Sequence, residues 1–317
     1  MIARELITVP SYASEVQQGL RQSPKTLPSK LFYDAAGSAW FEEITRLPEY
    51  YPTRTELEIL HRFADPITQA AGAGVKVVEL GSGSATKTCT LLRAFACRQL
   101  RVEYIPVDIS VAALGEARKQ VRGDCPQADV RPVVADFSQG FGFLGDISGP
   151  KLVLYLGSSI GNFDPESAVE MLRGVRQELK AGDALLLGTD LVKSKRILIP
   201  AYDDAQGVTS EFNKNLLRRL NRELDGNFDL ARFSHRALWN PTESRIEMHL
   251  ESLGAQVVDL KMISLRLTLG SGERIHTENS YKYTRAAVET MLRRSGFSLR
   301  QSWYDQKRWF AVHLASV

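Results

Sequence analysis

Residues 75–88 read Val75-Lys-Val-Val-Glu-Leu80-Gly-Ser-Gly83-Ser-Ala-Thr-Lys87-Thr88, and this stretch decides the fold. Its apolar run, Val75 to Leu80, has the length of a buried strand and stops at a glycine turn. Helical spacing then runs from Ala85 to Ala96. The same unit recurs downstream. Val102 to Val107 ends at Asp108 and leads into helical residues Val111 to Val121, Val130 to Ala135 ends at Asp136, and Lys151 to Leu156 ends at Gly157. A helix is expected next: Asp164 can cap it, Pro165 suits its first turn, and Gly182 can terminate it after Lys180. A fifth run, Ala184 to Gly188, ends at Asp190. Parallel neighbours need long crossovers, so strands alternating with helices at this spacing predict a doubly wound α/β sheet.

The alternation breaks after Leu191. Residues 192–281 hold a polar helix, about Thr209 to Leu224, and β-rich stretches at Arg245 to Ser252 and Met262 to Leu269. Helix–strand–strand order returns at Arg285 to Arg294, Ser298 to Tyr304 and Arg308 to Ala315. The chain is therefore expected to be discontinuous, with 57–191 and 282–317 in one domain and 1–56 and 192–281 in a second, smaller α+β domain.

Composition excludes several classes. Of 317 residues, 44% are hydrophobic and 24% charged, as in ordinary globular proteins. Forty basic residues stand against 37 acidic ones, giving a net charge of only +3. The basic residues are interspersed with acidic ones, as at Arg218, Arg219, Arg222 and Glu223, which describes a solvated helix face and no nucleic-acid partner. Cys89, Cys97 and Cys125 are too sparse for a disulfide framework. His61, His235, His249, His276 and His313 lack H-x-x-x-H or H-E-x-x-H spacing, so no metal is expected. No apolar run approaches the roughly 18 residues that span a bilayer. Met1 to Ser11 lacks the hydrophobic core of a signal peptide, which points to a cytoplasmic protein, expected to be a monomer.

Ligands of an open α/β sheet bind beyond the carboxyl ends of the strands, so those ends are where chemistry is sought. Gly81 and Gly83 let the backbone turn tightly and approach a ligand. The loop nearly spells a phosphate-binding G-x-x-x-x-G-K-[ST], but Thr86 replaces the second glycine, and Gly157 stands where a metal-holding Asp would be needed. The dinucleotide pattern G-x-G-x-x-G fails at the same Thr86. An adenosyl ligand without a pyrophosphate fits what remains, although a bare turn would look similar. Asp108 can accept hydrogen bonds from both ribose hydroxyls; its alternative is a helix cap before Ser110. Asp136 can meet an adenine amino group with Phe137 against the ring, or the two are a turn carboxylate and a core aromatic.

Several stretches together resemble one family, the histidine-specific Nα-methyltransferases that form hercynine in ergothioneine biosynthesis. They are Leu27 to Gly37 (LPSKLFYDAAG), Ile44 to Arg54 (ITRLPEYYPTR), Gly81 to Thr88, Gly157 to Phe163 (GSSIGNF), Tyr202 to Thr209 (YDDAQGVT) and Thr277 to Ser280 (TENS). The resemblance implies a Rossmann-like class I methyltransferase domain, which commonly closes on an antiparallel hairpin, and S-adenosylmethionine as methyl donor. It places Gly81, Lys87, Asp108, Asp136 and Phe137 at donor-binding positions, beside the Gly83 read from the loop. Tyr51, Asn162, Tyr202, Glu278 and Ser280 fall at histidine-binding positions. Tyr33 and Gly157 fall near the reacting amine, and Met248 beside the imidazole.

Those residue types suit the chemistry. Asn162 and Tyr202 offer neutral donors to a carboxylate. Glu278 can accept a ring N–H and Ser280 can address the other ring nitrogen; two residues apart on an extended segment, both point the same way. The expectation is that they face the sulfonium across a shared cleft. A tryptophan-type substrate is the alternative, which Glu278 and Met248 disfavour, and a non-catalytic ligand-binding relative is the reading outside enzymes.

Overall fold

The computed structural model describes residues 10–317. It divides into two compact units. One holds the described residues up to Tyr51 together with Lys193–Ser280, and the other holds Pro52–Val192 and Tyr281–Val317.

The second unit carries the sheet that the alternating pattern predicts. Its strands lie in the order Ser298–Tyr304, Phe310–Ser316, Ala184–Asp190, Lys151–Tyr155, Lys76–Leu80, Val102–Asp108, Ala128–Val130. The five strands from Ala184–Asp190 to Ala128–Val130 pair in parallel, and Phe310–Ser316 runs antiparallel to both of its neighbours. This is the Rossmann-like class I methyltransferase order, first strand central and terminal hairpin at the edge.

Period-two alternation of the central strands explains why both faces are apolar. Val77, Leu152, Leu154 and Leu186 enter one core with Ile59, Leu91 and Phe95. Their neighbours Val78, Val153, Leu185 and Leu187 enter the other with Leu172, Val175 and Leu292. The expected Val130–Ala135 strand is split into Ala128–Val130 and Val133–Val134. Pro132 lies in the gap and has no N–H to give to a ladder. Asp164 does cap its helix, accepting from Glu166 N at 3.1 Å and Ser167 N at 3.0 Å. That helix, Pro165–Gln177, ends before Lys180, however. Gly182, with φ +96°, turns the chain toward the next strand instead of ending the helix.

The first unit holds the Val208–Glu223 helix and a sheet ordered Lys25–Thr26, Arg274–Tyr281, Arg245–Ser252, Phe233–Asn240. Arg245–Ser252 alternates half-buried and buried along its length, as a strand with one covered face should. The expected Met262–Leu269 stretch starts later, at Leu265, because Lys261–Ile263 forms a 3-10 turn ended by Ser264 at φ +48°. Among the described residues no helix is long and apolar enough to cross a membrane.

Candidate functional site

In the sheet-bearing unit, the carboxyl ends of three adjacent parallel strands gather Gly81, Gly83, Asp108 and Gly157. Gly81 and Gly83 take φ of +68° and +48°, where a side chain would be strained. A Cβ added at either would meet no atom within 4 Å, so that side of the turn is open to a ligand. The turn is fastened from behind: Gly81 N donates to Val107 O at 2.8 Å. Asp108 receives Ser110 N at 2.9 Å on one oxygen and a long 3.4 Å contact from Gly83 N on the other. Ser110, not Asp108, caps the following helix, accepting from Ala113 N at 3.2 Å. The half-exposed Asp108 carboxylate thus lies against the glycine turn. Asp136 is exposed, while half-buried Phe137 stacks on Phe141 with ring centroids 5.7 Å apart.

Beneath this edge lies Glu79, fully buried. It accepts Thr88 Oγ1 at 2.6 Å and also the Tyr104 hydroxyl. Burial pushes its carboxyl up to about 7, against the pull of those two donors. Between its ordinary value of 4.5 and about 7, the folded protein holds a proton that the unfolded chain has released. Stability should therefore fall as pH rises through that window. Glu79→Gln should lose this dependence, and denaturant titrations from pH 5 to 8 would show it as a smaller slope of unfolding free energy against pH.

Two features here were not legible in the sequence. Glu56, 0% exposed, accepts Gly157 N at 2.8 and 3.0 Å on its two oxygens and pairs with the Lys87 ammonium. Nothing in its spacing marks it, since it follows the Tyr51–Arg54 motif as one more helical glutamate. The Gly157–Asn162 segment is also held closely. Ser158, at φ +57°, accepts Asp190 N at 2.8 Å, and a Cβ on Gly161 would stand 2.8 Å from Tyr281 O. Asn162 closes that segment, half-buried.

The remaining residues named from the sequence lie in the other unit. Tyr33 follows the 3-10 turn Ser29–Phe32, whose Phe32 is buried and stacks on Phe212 at 4.4 Å. Asp34 then caps the Ala35–Arg46 helix, accepting Gly37 N and Asn215 Nδ2 at 2.8 Å and Arg222 Nη2 at 2.7 Å. Burial raises that carboxyl, but these donors together hold it below its ordinary range. Tyr33, fixed between these two anchors, is 41% exposed and meets Phe41 and Phe212 edge-on.

Tyr51 is buried and accepts Lys193 Nζ at 2.8 Å. Glu278 and Ser280 share strand Arg274–Tyr281 two residues apart, Glu278 half-buried and Ser280 buried. Ser280 Oγ and Tyr202 OH are 2.8 Å apart, so two residues assigned to different ends of a ligand share a hydrogen bond. Met248, 2% exposed, lies on the adjacent strand; its carbonyl accepts Thr277 Oγ1 at 3.0 Å.

The sequence gives no sign of what supports Tyr202. His235 Nε2 donates to Tyr202 O at 2.7 Å while Asn213 Nδ2 meets its Nδ1 at 2.8 Å. Burial lowers the His235 pKa, and the neutral Nε2–H tautomer satisfies both partners. Among the described residues, no group of three or more His, Cys, Asp or Glu is placed to hold a metal ion.

Comparison with known proteins gives a consistent result. The profile described as "Histidine-specific methyltransferase, SAM-dependent" matches residues 12–317. The chain is 43% identical to the histidine N-alpha-methyltransferase of Mycolicibacterium smegmatis over 95% of this chain and 93% of the relative. It is 40% identical to the Mycobacterium tuberculosis protein of that name, over 95% and 94%. It is 29% identical to ergothioneine biosynthesis protein 1 of Neurospora crassa over 89% of this chain, but only 32% of that longer protein.

Proposed function

The chain belongs to the family of histidine-specific, S-adenosylmethionine-dependent methyltransferases, and on that premise we propose that it methylates the α-nitrogen of free L-histidine. Three successive transfers would give hercynine, the first step of ergothioneine biosynthesis. The observation that carries this reading is the pairing of Glu278 and Ser280 on one strand beside buried Met248, in a chain whose strand ends form an open glycine turn against Asp108.

The residues at those strand ends fit the methyl donor. Gly81 and Gly83 leave backbone room, Asp108 offers carboxylate oxygens to two ribose hydroxyls, and Asp136 and Phe137 suit an adenine amino group and ring. Lys87 supplies a cation for the carboxylate of an amino-acid tail. When bound, S-adenosylmethionine supplies a methyl group on a sulfonium, a leaving group that needs no metal or covalent nucleophile.

What the protein adds is placement, because bringing reacting atoms to about 3–3.5 Å supplies much of the attainable rate. Tyr51, Tyr202 and Asn162 present hydroxyl and amide donors suited to the substrate carboxylate. Glu278 accepts a ring N–H, Ser280 answers the other ring nitrogen, and Met248 packs against the ring. Partial burial of the α-amine favours its neutral, attacking form. The Tyr33 hydroxyl orients that amine or passes its proton to water. Tyr33 thus acts by position and not as a strong base. Gly157, without a side chain, keeps the region of the growing methylammonium uncrowded.

Binding calorimetry tests the assignment. With S-adenosylhomocysteine saturating, L-histidine should bind, while phenylalanine, tyrosine and tryptophan, which lack the two imidazole nitrogens that Glu278 and Ser280 would address, should bind at least about 10³-fold more weakly. Preference for tryptophan would overturn the substrate class.

A further inference from the structure

We propose that Glu56 is a positioning residue for methyl-donor binding, fixing both the Lys87 ammonium and the Gly157 turn from inside the protein. The inference rests on the reading of Lys87 as a donor-binding residue and of Gly157 as a residue near the reacting amine.

Three observations carry it. Glu56 is fully buried, yet both of its oxygens are used: they accept the Gly157 N–H, and Oε2 also pairs with Lys87. A carboxylate in such a place is costly unless paired and hydrogen-bonded, so the arrangement is a specific one. The two groups it holds come from different loops. Lys87 precedes the Thr88–Ala96 helix, and Gly157, at φ +77°, follows strand Lys151–Tyr155. Finally, strand Ala184–Asp190 makes room for it. A Cβ on Gly188 would fall 2.1 Å from Glu56 Oε1, so glycine there is needed for the carboxylate to occupy its position.

The consequence follows from lysine's flexibility. A long side chain immobilised on ligand binding gives up rotamer freedom at that moment. Lys87 is only 24% exposed and Glu56 takes one of its three N–H donors, so the pair limits the rotamer freedom the lysine has left to lose on binding the donor. The same carboxylate fixes the backbone of Gly157. Loss of its charge should therefore weaken donor affinity, while an uncharged acceptor in its place can still hold Gly157 N.

The test is a double-mutant cycle on Glu56 and Lys87, read by S-adenosylhomocysteine calorimetry and by steady-state kinetics. Glu56→Gln keeps the side-chain volume and one acceptor oxygen for Gly157. It should raise the S-adenosylhomocysteine Kd and the donor KM about 10-fold, leaving the histidine KM within about twofold and kcat nearly unchanged. In a Lys87→Met background the same change should add less than about twofold, because Glu56 would have no ammonium to hold. An unchanged Kd in Glu56→Gln, or an equal loss in both backgrounds, overturns the proposal. Should Glu56→Gln alone fail to fold, Lys87→Met and the double variant are compared directly. Matching affinities then support the proposal, and a further 10-fold loss in the double variant overturns it. Failure of the wild-type protein to bind S-adenosylhomocysteine would instead overturn the donor reading itself.

Discussion

Replacing Glu278 by alanine should lower kcat/KM for histidine on the order of 10²-fold, chiefly through KM. Hydrogen bonds to charged groups contribute about 1.5–3 kcal/mol, and truncation leaves the imidazole N–H facing a half-buried space without an acceptor. Glu278→Gln, which keeps a neutral acceptor, should fall between wild type and alanine. Affinity for S-adenosylhomocysteine should not move, because Glu278 is assigned to the imidazole and not to the donor. Histidine kinetics with saturating donor would measure the effect. An unaltered KM would remove Glu278 from the substrate site, and with it the basis for preferring histidine over an aromatic amino acid.

The second large effect is expected at Asp108. Its alanine variant forfeits two charge-assisted hydrogen bonds to the ribose, which together should raise the S-adenosylhomocysteine Kd on the order of 10³-fold. The protein should still fold. The carboxylate is half-exposed, and its internal bonds are those to the loop amides of Ser110 and Gly83, both near enough to the surface for water to replace them. Calorimetry at constant pH, with circular dichroism to confirm folding, separates the outcomes. Near-normal donor affinity would mean that Asp108 serves only to shape its loop.

The parallel sheet was readable because its determinants are local. Each strand is a short apolar run ended by Gly or Asp, and helical spacing follows most of them, as Val75 to Ala96 illustrates; the link from Val133–Val134 to Lys151–Tyr155 holds only two 3-10 turns. The strand-end rule then named Gly81, Gly83, Asp108 and Asp136 without reference to any relative. The first unit was harder to read. Phe233–Asn240 and Arg274–Tyr281 contain His235, Arg236, His276 and Glu278, and such polar strands lack a clean period. Tyr202, Asn162 and Ser280 were named by resemblance alone, since nothing in an isolated tyrosine or asparagine distinguishes a ligand contact from packing. Glu56 and His235 escaped both routes. Their roles depend on burial and on partners 101 and 33 residues away, which only the folded chain brings together.

A histidine-directed N-methyltransferase also accounts for the economy of the site. The donor brings its own leaving group, so the residues assigned to the reaction, which are neutral hydroxyls, an amide, one carboxylate, a thioether and a glycine, need only hold and orient the substrate. The His235 support beneath Tyr202 and the Glu56 support beneath Lys87 belong to the same pattern. In each, a buried side chain holds a residue assigned to the site, His235 through the Tyr202 carbonyl and Glu56 through the Lys87 ammonium.

The most direct test is mass spectrometry of an equimolar mixture of the twenty amino acids after incubation with the protein and S-adenosylmethionine. The account predicts that histidine alone gains methyl groups, up to three, with fragmentation placing all of them on the α-nitrogen. Methylation of a different amino acid, methyl groups on the imidazole ring, or an unchanged mixture would contradict it.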